Sequence, residues 1–536
     1  MSVTLPGRFQ KQRWFWLIPV LVILALSFLL AYAMFYESLK SRWSMVDDPE
    51  IAYYLGSDHH VGLGEAAQII LRDTEIGQYG YFTRFRPVYF AARLLESWLW
   101  NDELVFWYWS NIVMFAFFVG TFWFLASRKI NFFLAGLLTF FMAAQTYWID
   151  TFGRLGPSEP YAAVGLALFA WGLYLIYQLP KRPGLGWSLM AEGGMICTGS
   201  KENFVVLLLL IAAVAWERWR SHQFSLWPRI WLALTALWNL WIFSAIGLAV
   251  LRTGRDVYQN SVGPSRKILE LMLAINRPDV IGLFILLAAL AWIGFALRKK
   301  NSRVSRLLLF VAASLAFLWI VYLTQFLIYG GDFPNGDRYD VPGMLAWPLA
   351  AVLLVWLFQQ ITAEVPYASY RMPVMLISAL VCVALAFSQI GGVQTAQAKT
   401  RKYVKDNTRF TRSLDKMSAI LKQSPSTPLV LQLDNPILDY APITAYDLFL
   451  RYYYGAPNPI AIYWAGHDMN RYDPLSRSIA AIFIEISDHG ATVLEDSPVR
   501  PVDFAPISSV KGRQCILVLL SSDQPRMPCY SVYSLP

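Results

Sequence analysis

Long apolar runs separated by short charged connections dominate the chain. The first, Trp14 to Phe35, is a stretch of about 20 residues, long enough to cross a bilayer as a helix. Further runs lie at Leu104–Ala126, Ile130–Ile149, Tyr161–Tyr177, Trp187–Thr198, Phe204–Trp219, Ile230–Leu251, Val280–Leu297, Leu307–Tyr329, Val341–Phe358 and Pro373–Ile390. They predict a multi-spanning α-helical membrane protein with about eleven transmembrane helices, of which the fifth and sixth are short for a ~30 Å core.

Two stretches depart from that pattern. Residues 37–103 form a first outer loop too long for a simple connector. Within it, GLGEAAQIILRD places Ala66, Ile69 and Ile70 on one helical face, and RPVYFAARLLESWLW repeats the pattern, predicting two helices lying flat in the interface, which either shape a cavity open to lipid or only cover the bundle. The second departure begins near residue 393. KTRKYVKDNTRFTRSLDKMSAILKQ reads as a basic amphipathic helix, and PLVLQLD, AAIFIEI and CILVLL follow as short strands between turn residues. The domains are therefore a transmembrane part, 1–392, and a small extracytoplasmic α/β part, 393–536.

Charge assigns sides to these elements. Arg and Lys crowd Ser127–Lys129, Lys181–Arg182, Glu217–Arg220 and Arg298–Arg306, whereas the alternate connections hold nearly all the loop acids. The positive-inside rule then puts the N-terminus in the cytoplasm and the acid-bearing loops and C-terminal part outside, across a bacterial inner membrane. The basic flank of the first run resembles a signal peptide, but its apolar core is too long, so a retained helix is expected.

At 536 residues, 56% hydrophobic and 15% charged, with a mean hydropathy of +0.42, the chain is excluded from the ordinary soluble class. The net charge of +9 is accounted for by the inner connections, so no nucleic-acid partner is implied. Of the four cysteines, Cys197 and Cys382 fall in apolar runs as small hydrophobes. Cys515 and Cys529 flank a strand-turn-strand unit, where a disulfide is expected in an oxidising compartment. No Walker A loop, G-x-S-x-G elbow or zinc-ligand spacing occurs.

The candidate chemistry sits in the outer connections. Asp47 and Asp48 are adjacent acids just past the first apolar run; a helix N-cap before Pro49 is the competing account. Two carboxylates side by side at a low-dielectric boundary repel, which raises the proton affinity of the pair and suits it to act as a base. Arg84 and Arg86, in TRFRPVYF, are of the residue type that can hold phosphate oxygens bidentately, with a snorkelling anchor as the alternative. Charges gather again at Asp150, Arg154 and Glu159, at Lys201 and Glu202, and at Asp337, Arg338, Tyr339 and Asp340. Lys201 and Glu202 interrupt an apolar stretch, so they either line a polar cavity or neutralise each other. His59, near Asp48 and Asp58, is a candidate ligand for a divalent metal; no other cofactor is indicated.

Adjacent acids after the first helix, a long first outer loop, an Arg-x-Arg before an interfacial helix, about eleven spans and a soluble C-terminal part together resemble the GT-C class of membrane glycosyltransferases. The bacterial aminoarabinose transferases and protein O-mannosyltransferases are nearest in pattern. The resemblance covers residues 1–390, and those relatives carry Asp-Glu where this chain has Asp47-Asp48. It implies an inverting enzyme that moves a sugar from a polyprenyl-phosphate donor to a hydroxyl of a lipid, glycan or protein acceptor, in contact with membrane lipids. On that resemblance Asp47 or Asp48 takes the acceptor proton. Arg84, Arg86, Lys201 and Arg338 are candidates to hold the donor phosphate, and Arg154, Glu159, Glu202, Asp337 and Tyr339 to line the substrate site. Two other classes stay open: a polysaccharide polymerase or ligase of another membrane fold, which would depend on late-loop arginines, and a transporter, which would show internal repeats and broken helices.

Overall fold

The computed structural model describes residues 9–46, 48–178, 183–221, 225–254, 264–299, 301–329, 333–364, 368–423, 425, 429–433, 445–458, 460–464, 486–487, 490–491, 514–520 and 530–534. Every predicted apolar run is helical over most of its length within them. Helix α1 (Phe9–Phe35) ends in a 3-10 turn, Tyr36–Lys40. The first long loop follows as α2 (Pro49–Leu55), α3 (Leu63–Asp73) and α4 (Pro87–Trp100). The bundle continues with α5 (Leu104–Ser127), α6 (Phe132–Ala143), α7 (Tyr147–Phe152), α8 (Glu159–Gln178), α9 (Pro183–Ser200) and α10 (Leu207–Arg220). It is completed by α11 (Leu226–Thr253), α12 (Pro264–Ile275), α13 (Pro278–Ala296), α14 (Ser302–Tyr329), α15 (Ala346–Glu364) and α16 (Ala368–Ser388).

Among the described residues eight stretches are both long and apolar enough to cross a membrane, on α1, α5, α8, α11, α13, α14, α15 and α16. The other predicted spans are shorter or more polar: α6 has 12 residues, α10 has 14, and α9 carries Glu192. Twelve residues rise only about 18 Å, well short of a ~30 Å hydrocarbon core. The run Ile130–Ile149 breaks after Ala143, where the indole of Trp148 turns back to donate to Met142 O (2.9 Å). The outward surface is apolar: Phe133, Trp292 and Met372 are 76%, 78% and 79% exposed. A surface so rich in bare hydrophobic side chains is a lipid-facing one.

Helices α8 and α9 make the closest pair, and the sequence explains why. Gly165 and Gly172 on α8 and Gly186 and Gly193 on α9 repeat at seven-residue spacing, so small residues line one face of each helix. The approach leaves no room for a side chain. A Cβ at Gly172 would stand 2.2 Å from Met190 N, and one at Gly193 would stand 2.4 Å from Gly165 O.

Helix α17 (Ile390–Gln423) leaves the bundle and is followed by a four-stranded sheet in the order β2–β1–β5–β6, formed by β1 (Leu429–Leu433), β2 (Ile460–Trp464), β5 (Gln514–Leu520) and β6 (Tyr530–Ser534). Strands β3 (Ile486–Ser487) and β4 (Gly490–Ala491) form a separate short pair. The pairs β1–β2 and β1–β5 are parallel and β5–β6 is antiparallel. Two of the strands, β1 and β5, fall on predicted runs, while β2 and β6 fall outside them; both are short alternations next to Pro and Ser, with a weak local signal. Most of AAIFIEI and the Cys515–Cys529 pairing lie outside the described residues. Cys197 and Cys382 are free and buried, as small hydrophobes.

The first loop packs against this tail. Trp43, Ile51, Tyr54, Phe90 and Leu94 share one buried cluster with Phe410, Leu414, Tyr446 and Phe449, and Ala66, Ile69 and Ile70 of α3 pack onto it as the helical face predicts. Gly172→Ala should force the α8–α9 backbones apart and cost about 1–3 kcal/mol. Gly247→Ala, where nothing lies within 4 Å, should be neutral or slightly stabilising, as a helix prefers alanine to glycine. Thermal unfolding of the two variants in detergent checks this pair, and equal melting temperatures would refute it.

Candidate functional site at the converging loops

Four stretches that are far apart in sequence meet at the acid-bearing end of the bundle: the turn after α7, the start of the 3-10 turn Glu202–Val206, the loop before α15, and the first half of α17. Each brings charge. Asp150 on α7 accepts from Lys399 Nζ (2.6 Å) and from the Tyr403 hydroxyl of α17. Arg154 lies over the Tyr403 ring (5.8 Å), and its backbone carbonyl is held by Asn111 Nδ2 (2.8 Å). Glu159, the first residue of α8, forms an ion pair with Lys201, and the two residues are 2% and 4% exposed.

Aromatic rings and backbone amides complete this arrangement. Lys201 Nζ stands 4.9 Å from the Tyr339 ring and 5.8 Å from that of Tyr329. Arg338 lies 5.2 Å over Tyr339 and within electrostatic reach of Glu159 and Tyr403. Asp337 accepts from Tyr339 N (2.8 Å), pinning the turn that presents Arg338. Asp340 accepts from Asn335 N (2.8 Å) and Gly336 N (2.7 Å); burial pushes its carboxyl above the usual range against the pull of those amides. Asn203 Nδ2 bridges Gln325 Oε1 (2.9 Å) and Val341 O (3.0 Å), locking this loop to α14.

Lys201 and Glu202 do not neutralise each other. Lys201 has an extended backbone (φ −153°, ψ 128°), so the two successive side chains diverge. Lys201 turns to Glu159. Glu202 turns toward Arg86, within electrostatic reach, and its Oε1 is buried with no hydrogen-bond partner among the described residues.

The first loop holds its charges differently from expectation. Arg86 donates from Nη2 to Glu75 Oε1 (3.0 Å) and from its backbone N–H to Glu75 Oε2 (2.8 Å), and lies over the Tyr89 ring (5.0 Å). The snorkelling alternative fails for Arg86, since its side chain is only 19% exposed. Arg84 is partly buried, two residues earlier. Asp47 lies outside the described residues. Asp48 is 0% exposed and accepts from Ser44 N (2.8 Å) through Oδ2. The N-cap account does not hold, because its side chain makes no capping bond to α2. It folds back to close the turn that begins at Ser44, within electrostatic reach of Arg93 and Tyr108. Arg154 lies within electrostatic reach of the same Tyr108.

The divalent-ion site expected at Asp48 and His59 does not fit this arrangement. His59 Nδ1 faces Asp102 Oδ2 (3.0 Å) and Nε2 faces Tyr453 O (3.0 Å), with the imidazole stacked on the Tyr453 ring at 4.0 Å. Both ring nitrogens are engaged. Among the described residues no three His, Cys, Asp or Glu side chains gather as ligands, and no chemical step is assigned to a metal.

Several site residues escape the sequence pattern. Glu75 gives no signal, being one acid in a polar loop. Lys399 and Tyr403 carry one, since their i, i+4 spacing places both on the same face of α17. Arg93 and Glu96 of α4 are hidden by the apolar pattern around them. Arg93 is 2% exposed among the rings of Tyr89, Trp107 and Tyr161. Glu96 accepts from Ser110 Oγ (2.9 Å), from the Tyr161 hydroxyl and from Arg93 Nη1 (3.4 Å), and burial pushes its carboxyl up despite those donors.

No family model matches the chain, and no curated protein matches it. Among solved structures it is similar to ArnT from Cupriavidus metallidurans in the apo state, with a TM-score of 0.46 and 13% identity over 93% of this chain and 92% of that one. It is also similar to the same ArnT bound to undecaprenyl phosphate, with a TM-score of 0.45, the same identity and the same coverage.

Lys201→Met should leave Glu159 as an uncompensated buried charge and destabilise the protein by about 3–5 kcal/mol. Adding Glu159→Gln to that variant should recover most of the loss; a double variant as unstable as the single one would show that the pair is not the cause. Glu96, with its carboxyl held up by burial, favours the protonated form when folded. Its contribution to stability is therefore full below the ordinary carboxylate range and declines as pH rises through its raised value. Glu96→Gln should flatten that limb of a melting-temperature profile against pH, and an unchanged limb would count against it.

Proposed function

We propose that the protein is a membrane glycosyltransferase that moves a sugar from a polyprenyl-phosphate donor to a hydroxyl of a lipid, glycan or protein acceptor at the outer face of a bacterial inner membrane. One observation carries this reading: Lys201, Arg338 and Arg154 converge at the end of the bundle that also holds the Trp43–Asp48 turn, and Arg86 lies within electrostatic reach of the neighbouring Glu202. A cluster of cations at the membrane boundary, walled by tyrosines, matches the charge of a lipid phosphate and the apolar faces of a sugar.

In the reaction proposed, the acceptor oxygen attacks the anomeric carbon while its proton passes to a carboxylate. The bond from the anomeric carbon to the phosphate oxygen breaks, the configuration inverts, and the polyprenyl phosphate leaves with the electron pair. The base role falls to Asp47. Asp48, buried and bonded to Ser44, shapes the turn. Lys201 and Arg338 stabilise the departing phosphate, with Arg84 and Arg86 at the loop side. Glu202, Arg154, Glu159, Asp337 and Tyr339 line the sugar and acceptor, Glu159 and Asp337 chiefly by holding Lys201 and the Arg338 turn in place.

Asp47→Asn should lower turnover about 10²- to 10⁴-fold, the range for a lost general base, while affinity for the polyprenyl phosphate stays the same. Turnover that survives both Asp47→Asn and Asp48→Asn would sink the glycosyl-transfer reading and favour a ligase built on late-loop arginines. Mass spectrometry of lipid that copurifies with the protein tests the donor class, with a polyprenyl phosphate or its glycoside as the expected species.

A further inference from the structure

Helix α17 does more than connect the bundle to the sheet. Its polar side chains grip the chain from the end of α1 into the acid-bearing turn, rung by rung and in the same direction. Gln397 Nε2 donates to Ala33 O (2.8 Å), and Arg401 donates to Glu37 Oε1 (2.8 Å) and Tyr36 OH (3.2 Å). Asn407 Nδ2 donates to Ser41 Oγ (2.9 Å), and Thr411 Oγ1 to Trp43 O (3.4 Å). The partners advance from 33 to 43 as the helix advances from 397 to 411. The last rung falls one residue before Ser44, whose N–H binds Asp48.

The far end of the helix is anchored in turn. Ser413 Oγ and Tyr446 OH are 2.6 Å apart, Tyr454 OH donates to Asp415 Oδ1 (2.7 Å), and Phe410 packs on Tyr446 and Phe449 at 5.1 and 5.5 Å. The Trp43 ring then lies 5.7 Å from Phe449 and 5.6 Å from Tyr453. Residues 41–46 carry no helix or strand of their own; their local bonds are short-range ones, Ser44 N to Asp48 Oδ2 (2.8 Å) and Val46 N to Ser44 Oγ (3.2 Å), and the bonds from α17 tie the segment to the rest of the chain. Asn407 is 7% exposed, and a buried amide given a single hydroxyl partner in that segment is a specific register mark, not a solvated face.

We propose that α17 is the splint that sets the course of the turn from Trp43 to Asp48, with Arg401 and Asn407 as positioning residues for the acid pair. The inference rests on the glycosyl-transfer reading for its catalytic consequence and on geometry alone for its structural one. The C-terminal part thereby acquires a role, because holding the end of α17 also holds the first loop.

The test is an Arg401→Ala/Asn407→Ala double variant of the full chain, with Arg412→Ala, on the same helix, as control, followed by amide hydrogen exchange and by turnover. Exchange across residues 41–48 should quicken roughly five- to tenfold, the size of one or two lost hydrogen bonds, with α8 and α9 unchanged. The turnover number should fall with little change in KM or in polyprenyl-phosphate affinity, and Arg401→Lys should restore part of it by keeping the charge facing Glu37. Unchanged exchange across 41–48 in the folded double variant would overturn the proposal, as would equal loosening by Arg412→Ala. If the double variant does not fold, Arg401→Lys/Asn407→Ser carries the same comparison. Quickened exchange in a protein that transfers no sugar even unsubstituted would leave the splint standing and remove the proposed chemistry instead.

Discussion

A charge at the end of an apolar helix has little water to solvate it, so it persists only where an opposite charge, an aromatic face or a hydrogen-bond donor meets it. In this protein that constraint draws distant loops together. Glu159 opens one helix and Lys201 closes another, and the close α8–α9 packing brings them within bonding distance. The Tyr329 and Tyr339 rings cover the lysine, and the Asp337 and Asp340 carboxylates brace the loop that carries Tyr339. Once these partners are in place, the same end of the bundle gathers paired polar groups in an otherwise apolar body.

The first loop obeys the same constraint with a different solution. Arg86 is met by Glu75, and Arg93 by Glu96 and three aromatic rings. The first ties the start of α4 to the loop before it, and Glu96 ties its end to α5 and α8 through Ser110 and Tyr161. The Trp43–Asp48 turn is held by the bond from Ser44 N to Asp48 and by its contacts with α17 and with the aromatic cluster around Phe449. Cation density, tyrosine walls and a braced acidic turn thus arise from one physical requirement, and they are also what transfer from a lipid phosphate would use.

Much of this was legible along the chain. The apolar runs specify the bundle because hydrocarbon demands about 20 such residues per crossing, and the amphipathic faces of α3 and α4 specify which sides are buried. Asp150, Arg154, Glu159, Lys201, Glu202, Arg338 and Asp340 stood out because charge at the edge of an apolar run is costly. Their partners did not. The sequence neighbours Lys201 and Glu202 invited pairing, yet extended backbone separates them, and the true partner of Lys201 lies 42 residues away.

What the sequence by itself determined is which segments enter the membrane, where the basic and acidic connections fall, and which residue types are available for chemistry at one end. Those properties depend on local hydropathy and charge, which a one-dimensional pattern records. Only the tertiary structure decided that Asp48 turns inward onto Ser44, that His59 is taken by Asp102 and Tyr453, and that α17 runs beside the first loop. Each of these is a choice among distant partners, made by packing and by the need to satisfy every buried polar group, and no local pattern contains that information.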